Sequence, residues 1–252
     1  MSNQPETAQA QFLHPDDFIH QITSEIDQYF HDSGYNEMWL TKDKVDRSPE
    51  EVNASILNRL MVGYYNEVYI RDSVMHTMEI APDVKTQQAL LQQVVDEHNH
   101  AIWIINLLNK RGYDPRKLGR TPSRGYAMFW DYLLGCTTRA ANTKDPYMFL
   151  NAVATTQLVN ERLFGLRATA VFAENIAKYD EEVADLYGNR IRKDEIFHTL
   201  NLPEMILKMH ATTPEAQAAV REGVERSKIF LKIISDEMRG LQSKSNYDIA
   251  KI

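Results

Sequence analysis

Apolar and polar residues never alternate singly along this chain for the length of a strand, and the pattern predicts helices throughout. Pro15, followed by Asp16 and Asp17, starts a helix expected to run to about His31, with the two acids in a favourable first turn. Ser48-Pro49-Glu50-Glu51 reads as a capping box with proline at the first helical position. The helix it opens should reach about Glu79. Pro82 starts the next, which should end near Arg111-Gly112 with Lys110 and Arg111 in its last turn. Residues 112–145 form a long connection punctuated by Pro115, Gly119, Pro122 and Gly125, and within it residues 126–138 predict a shorter, aromatic-rich helix. Asp145-Pro146 opens a helix to about Ala177, and another runs from about Asp180 past Glu195, with a kink expected at Pro203. Thr213-Pro214-Glu215 starts a last helix to about Leu241. The expected class is all-α, in one domain over residues 1–252 with a bundle core at about 49–210 and loose ends at 1–12 and 242–252.

Composition narrows the setting. A net charge of −7 argues against nucleic acid as a partner. Cys136 is the single cysteine, so no internal disulfide can form and a reducing compartment fits. Met1 to Gln11 is polar, without the basic and apolar regions of a signal peptide, and no run approaches the roughly 18 apolar residues that span a bilayer. The expected location is cytoplasmic, with no membrane partner.

The chemistry lies in a repeat. Asp96-Glu97-His98-Asn99-His100 returns as Asp194-Glu195-Ile196-Phe197-His198, and no other stretch has the form D-E-x-x-H. Residues three apart share a helical face, so Glu97 projects with His100 and Glu195 with His198. Each motif is preceded by an Asn-Glu pair, Asn66-Glu67 and Asn160-Glu161. If each pair of helices forms a hairpin, Glu67 and Glu97 both lie roughly 22 Å from the Pro82 turn at 1.5 Å rise per residue. They come out level, as do Glu161 and Glu195 about Lys178. Four carboxylates converging in a core without cations would be very costly, and bound metal resolves the cost. A carboxylate-rich, thiolate-free set suits iron or manganese and argues against a structural zinc.

These residues resemble the ferritin-like di-iron carboxylate proteins, whose bundle core carries one Glu from each of two helices and Glu-x-x-His from each of the other two. Glu67, Glu97, His100, Glu161, Glu195 and His198 fill that pattern, over roughly residues 49–210. The resemblance implies a ferritin-like four-helix bundle with a long crossover containing an extra helix, plus additional N- and C-terminal helices. It implies two iron ions, with manganese or a mixed Mn/Fe pair as variants, Glu97 and Glu195 bridging and the other four ligands terminal. The family's oxygenase branches often read D-E-x-R-H; Asn99 and Phe197 occupy the Arg position and separate this chain from the multicomponent monooxygenases.

Further expectations attach to that centre. Asp96 and Asp194 should accept the second ring N–H of a ligand His, on their own or the opposite helix. Gly63 and Gly165 fall at one end of the site, with Gly188 on the same side. They either border a cavity with Ile104, Phe164 and Ile191 or allow close helix packing. Arg71 would offset part of the buried charge. Lys110, Arg111, Arg116, Lys117, Arg120 and Arg124 could dock an anionic partner, although such a run is more often a solvated loop. The activity implied is an O2-activating di-iron oxidase or monooxygenase acting on a small, largely apolar substrate. Its partners would be O2, that substrate and an external electron donor, a ferredoxin or a reductase, and a homodimer is compatible. Alternatives are a manganese catalase, a rubrerythrin-like peroxidase or a modified-tRNA hydroxylase.

Overall fold

Ser48 opens the first of four helices that carry the repeat. Its hydroxyl accepts from Glu51 N at 3.3 Å, while its own N–H donates to Glu51 Oε2 at 2.8 Å, so two orphan donors of the first turn are satisfied reciprocally. The structure, a computed structural model, describes residues 12–35, 48–118, 124–143 and 145–243. Among these, α1 spans Pro15–Asp32, α2 Pro49–Glu79, α3 Val84–Lys110 and α4 Arg124–Thr143. Helix α5 covers residues 146–176, α6 covers 181–210, and α7 is Pro214–Ser243. The described residues contain no strand, and the protein is all-α. The loose ends expected at 1–12 and 242–252 fall outside the described residues, save Phe12 and the helical Gln242 and Ser243.

Two boundaries differ from the expected ones for a physical reason. Helix α3 starts at Val84, because Asp83 takes the cap and accepts from Thr86 N at 3.0 Å, leaving Pro82 in the turn. Helix α4 outruns residues 126–138 because its apolar stripe continues: Phe129, Leu133, Cys136 and Ala140 are all buried at helical spacing. A third difference is internal. Ala154–Ala168 in α5, and Leu186–Ile191 and Phe197–Asn201 in α6, are wound as π-helix. Pro203, where a kink was expected, lies in the α-helical segment Leu202–His210 directly after the last wide turn.

Side-chain contacts set the register. Glu67 meets His100, and a Cβ on Gly63 would face Ile104, so α2 and α3 run antiparallel. Thr199 Oγ1 donates to the Glu161 carbonyl, and Gly165 faces Glu195, so α5 and α6 do the same. His100 pairs with Asp194 and His198 with Asp96, which makes α3 and α6 antiparallel neighbours. Two hairpins thus face each other, joined through the connection that contains α4. Helix α1 buries Phe18, Ile22, Ile26 and Phe30 on one face. It is tied to α5 by Arg162, whose Nε and Nη2 donate to the two Asp27 oxygens at 2.6 and 2.7 Å. The apolar interior divides into two clusters. The larger gathers α1, α4, α7 and parts of the hairpins, and the smaller holds Leu60, Ile104, Leu108, Val183, Tyr187 and Ile191. Among the described residues no helix is long and apolar enough to cross a membrane.

Candidate metal centre

Helices α2, α3, α5 and α6 bring Glu67, Glu97, His100, Glu161, Glu195 and His198 together, and none of the six is more than 6% exposed. Two overlapping sets form: Glu67, Glu97, His100 and Glu195, and Glu97, Glu161, Glu195 and His198, with the ligand atoms of each set all within 4.8 Å of one another. Glu97 and Glu195 belong to both. Each imidazole turns Nδ1 toward the carboxylates. His100 Nδ1 lies 3.3 Å from Glu67 Oε2 and 3.4 Å from Glu97 Oε2; His198 Nδ1 lies 3.1 Å from Glu97 Oε1.

The outward nitrogens cross between the motifs. His100 Nε2 is 3.1 Å from Asp194 Oδ2, and His198 Nε2 is 3.3 Å from Asp96 Oδ2. An Nε2–H donated to carboxylate leaves Nδ1 with its lone pair facing the cluster, the tautomer a metal ligand needs.

Charge is out of balance without a cation. Burial, partly opposed by His100, pushes Glu67 up to about 8. Burial and the charges of Glu195 and Glu97 hold Glu161 well above the ordinary carboxylate range. Burial opposes ionisation of Glu97 too, but His198 and His100 outweigh it and hold that carboxyl low. The imidazoles answer in kind: burial disfavours their charge, yet Asp194 and Glu67 keep His100 well above its usual value, and Glu97 and Asp96 do so for His198. Protons thus supply positive charge that this cluster demands.

The residues fit a metal on two counts. The donor set, four carboxylates and two imidazoles, is one that divalent cations bind. Glu97 Oε2, Glu195 Oε2 and His198 Nδ1 are also buried with no hydrogen bond, although charged atoms lie close by. Buried donor atoms left without a hydrogen bond are the arrangement a shared cation satisfies. A buried group of Glu and His that could hold a metal ion is therefore present. No family model matches the chain, and no curated protein matches it.

The structure adds residues beyond the repeat. Gln93, fully buried, donates from Nε2 to Glu97 Oε1 and Glu161 Oε1, both at 3.2 Å, and its carbonyl accepts from Gln157 Nε2 at 2.9 Å. Gln93 stands four residues before Glu97 and Gln157 four before Glu161, a same-face spacing legible in the sequence. Trp103 packs its ring 5.6 Å from that of His100.

Other expected residues fall elsewhere. Arg71 does not reach the carboxylates; it donates to Asp72 at 2.7 and 2.9 Å and meets exposed His98 at 3.4 Å, a more hydrated arrangement than the core offers. Of the basic run, Lys110 and Arg111 pair with Glu182 and Asp180 at the start of α6, and Arg116 pairs with Asp114; Arg120 lies outside the described residues. The glycines divide. A Cβ on Gly165 would strike the carboxylates of Glu161 and Glu195, one on Gly63 would lie 2.5 Å from Tyr187 Oη, and one on Gly188 would meet only Ala173, at 3.2 Å. Ile104, against Gly63, and Ile191 are buried in the smaller cluster, while Phe164 is buried in the larger one against Tyr126.

Proposed function

We propose that this chain is an O2-activating di-iron oxidase or monooxygenase with a ferritin-like bundle, working on a small, largely apolar molecule. The observation that carries the reading is the pair of buried four-residue sets sharing Glu97 and Glu195. Glu67 and His100 would hold one ion, Glu161 and His198 the other, and Glu97 and Glu195 would serve both. Bound there, a pair of redox-active ions would supply electrons to dioxygen, replenished by an external donor such as a ferredoxin or a reductase. The chain's own residues do the rest. Asp194 and Asp96 fix the imidazole tautomers, and Gln93 holds one oxygen each of Glu97 and Glu161. The apolar clusters on either side exclude water from the reacting volume. A cytoplasmic setting supplies the reductant.

Loading the protein anaerobically with Fe(II), then admitting air in the presence of a reductant, should give catalytic O2 consumption. Vigorous O2 release on adding hydrogen peroxide, without O2 consumption, would instead establish the catalase reading. Glu97→Ala with unchanged metal content would remove the basis of both.

A further inference from the structure

The repeat makes the two ends of the cluster comparable, and they are chemically unlike. Counting four residues back from Glu97 and Glu161 gives Gln93 and Gln157; counting back from Glu195 and Glu67 gives Ile191 and Gly63. The first end is closed by amides, with Gln93 bonded to two carboxylates and braced by Gln157. The second end is bordered by Ile104 and Ile191, both buried in the smaller apolar cluster. The hydroxyl of Tyr187 stands at that end, outside the ligand set, buried and with no hydrogen bond of its own. Tyr187 is 2% exposed, sits in the smaller apolar cluster, and directs its Oη onto Gly63, one turn and so about 6 Å along α2 from Glu67.

An unpaired hydroxyl in such surroundings is costly, roughly 1–3 kcal/mol, and a bound acceptor atom would relieve that cost. Gly63 is what admits the hydroxyl, since any larger residue would occupy the place of the oxygen. Burial pushes the phenol well above its usual range, so it stays a donor at every physiological pH. The Arg59 guanidinium lies 6.0 Å from the centre of the Tyr187 ring and sets one positive charge at this end.

We propose that small molecules reach the cluster at the Gly63 end, and that Tyr187 Oη donates a hydrogen bond to the acceptor atom of whatever binds there. The inference rests on the metal-centre reading and refines its substrate class: a compact, mostly apolar molecule carrying one oxygen or nitrogen acceptor, or a small anion.

The test uses azide as the acceptor-bearing probe of the full-length chain, loaded with Fe(II) and oxidised in air, with affinity read from the azide-to-iron absorption band. Tyr187→Phe should weaken azide about tenfold, the equivalent of one hydrogen bond. It should also melt no lower than the parent when metal-free, because the oxygen removed has no partner in the protein. Tyr179→Phe, which deletes a hydroxyl from a half-exposed side chain in the turn before α6, should leave azide affinity within about twofold of the parent. Azide affinity unmoved by Tyr187→Phe, or shifted as much by Tyr179→Phe, overturns the proposal, as does a lower melting temperature for metal-free Tyr187→Phe. Iron content is measured first: a chain that takes up no iron sinks the metal-centre reading and this inference together, whereas an iron-loaded chain with the wrong azide pattern sinks this inference alone.

Discussion

Replacing Gln93 by leucine keeps the side-chain volume and removes three hydrogen bonds. Both protons of the Gln93 amide are in use, each on a carboxylate at 3.2 Å, and its carbonyl accepts from Gln157 at 2.9 Å. The bond to Glu97, held charged, contributes roughly 1.5–3 kcal/mol, that to Glu161, held neutral, about 0.5–1.5 kcal/mol, and a buried donor left unpaired costs about 1–3 kcal/mol. Because 3.2 Å is long for a charge-assisted bond, the lower values apply, and a loss of about 2–3 kcal/mol follows for the metal-free protein. In a chain of 252 residues that is a fall in melting temperature of roughly 4–12 °C. Outer partners of ligands typically sustain 10- to 100-fold in metal affinity, so Mn(II) or Fe(II) should bind weaker by about 1.4–2.7 kcal/mol. A double variant, Gln93→Leu with Gln157→Leu, separates the two effects. It removes the orphaned Gln157 amide and should recover part of the melting temperature, while metal affinity, measured by equilibrium titration, stays low. Parental metal affinity in the single variant, or restored affinity in the double, would refute the role given to Gln93.

Two more expectations follow from the cluster. Glu67, at about 8, and both imidazoles hold protons at neutral pH in the metal-free protein, so Mn(II) binding must expel them, and affinity should climb as pH is raised from about 6 to about 9. The stability that these raised groups confer is present at low pH and is lost as pH rises through their folded values; the contribution of Glu97, whose value is lowered, is already complete by pH 6. Metal-free protein should therefore melt lower at pH 9 than at pH 6; absence of both this difference and proton release in a weakly buffered dye assay contradicts the charge state drawn above. Gly165→Ala would place a methyl against Glu195 Oε2 and 2.7 Å from Glu161 Oε2, and should depress metal stoichiometry per chain below that of the parent. Two ions held at parental affinity would show that the carboxylates relax freely.

Much of this molecule could be read before any coordinates. Helix starts carry explicit chemistry, and Ser48, Asp145 and Asp180 cap where their sequence context says they should. The six converging residues were legible because a three-residue spacing on a helix permits few other arrangements. What escaped was geometry that depends on neighbours. The π turns through Glu161 and around Glu195 follow no 3.6-residue pattern, so periodicity is blind to them. The spacing of Gln93 and Gln157 places them on the ligand faces, but their bonds to the carboxylates and to each other emerge only when α3 and α5 lie side by side. Arg71 pairs with its neighbour Asp72 and not with the core carboxylates, a choice that depends on side-chain geometry.

The crossed pairing of aspartate and histidine has a consequence for assembly. Asp96 serves the imidazole of the second motif and Asp194 that of the first, so neither hairpin holds a complete half of its own centre. Two separately expressed fragments, cut in the connection before α4, would each be chemically unfinished. Only when both hairpins come together does each imidazole meet its aspartate.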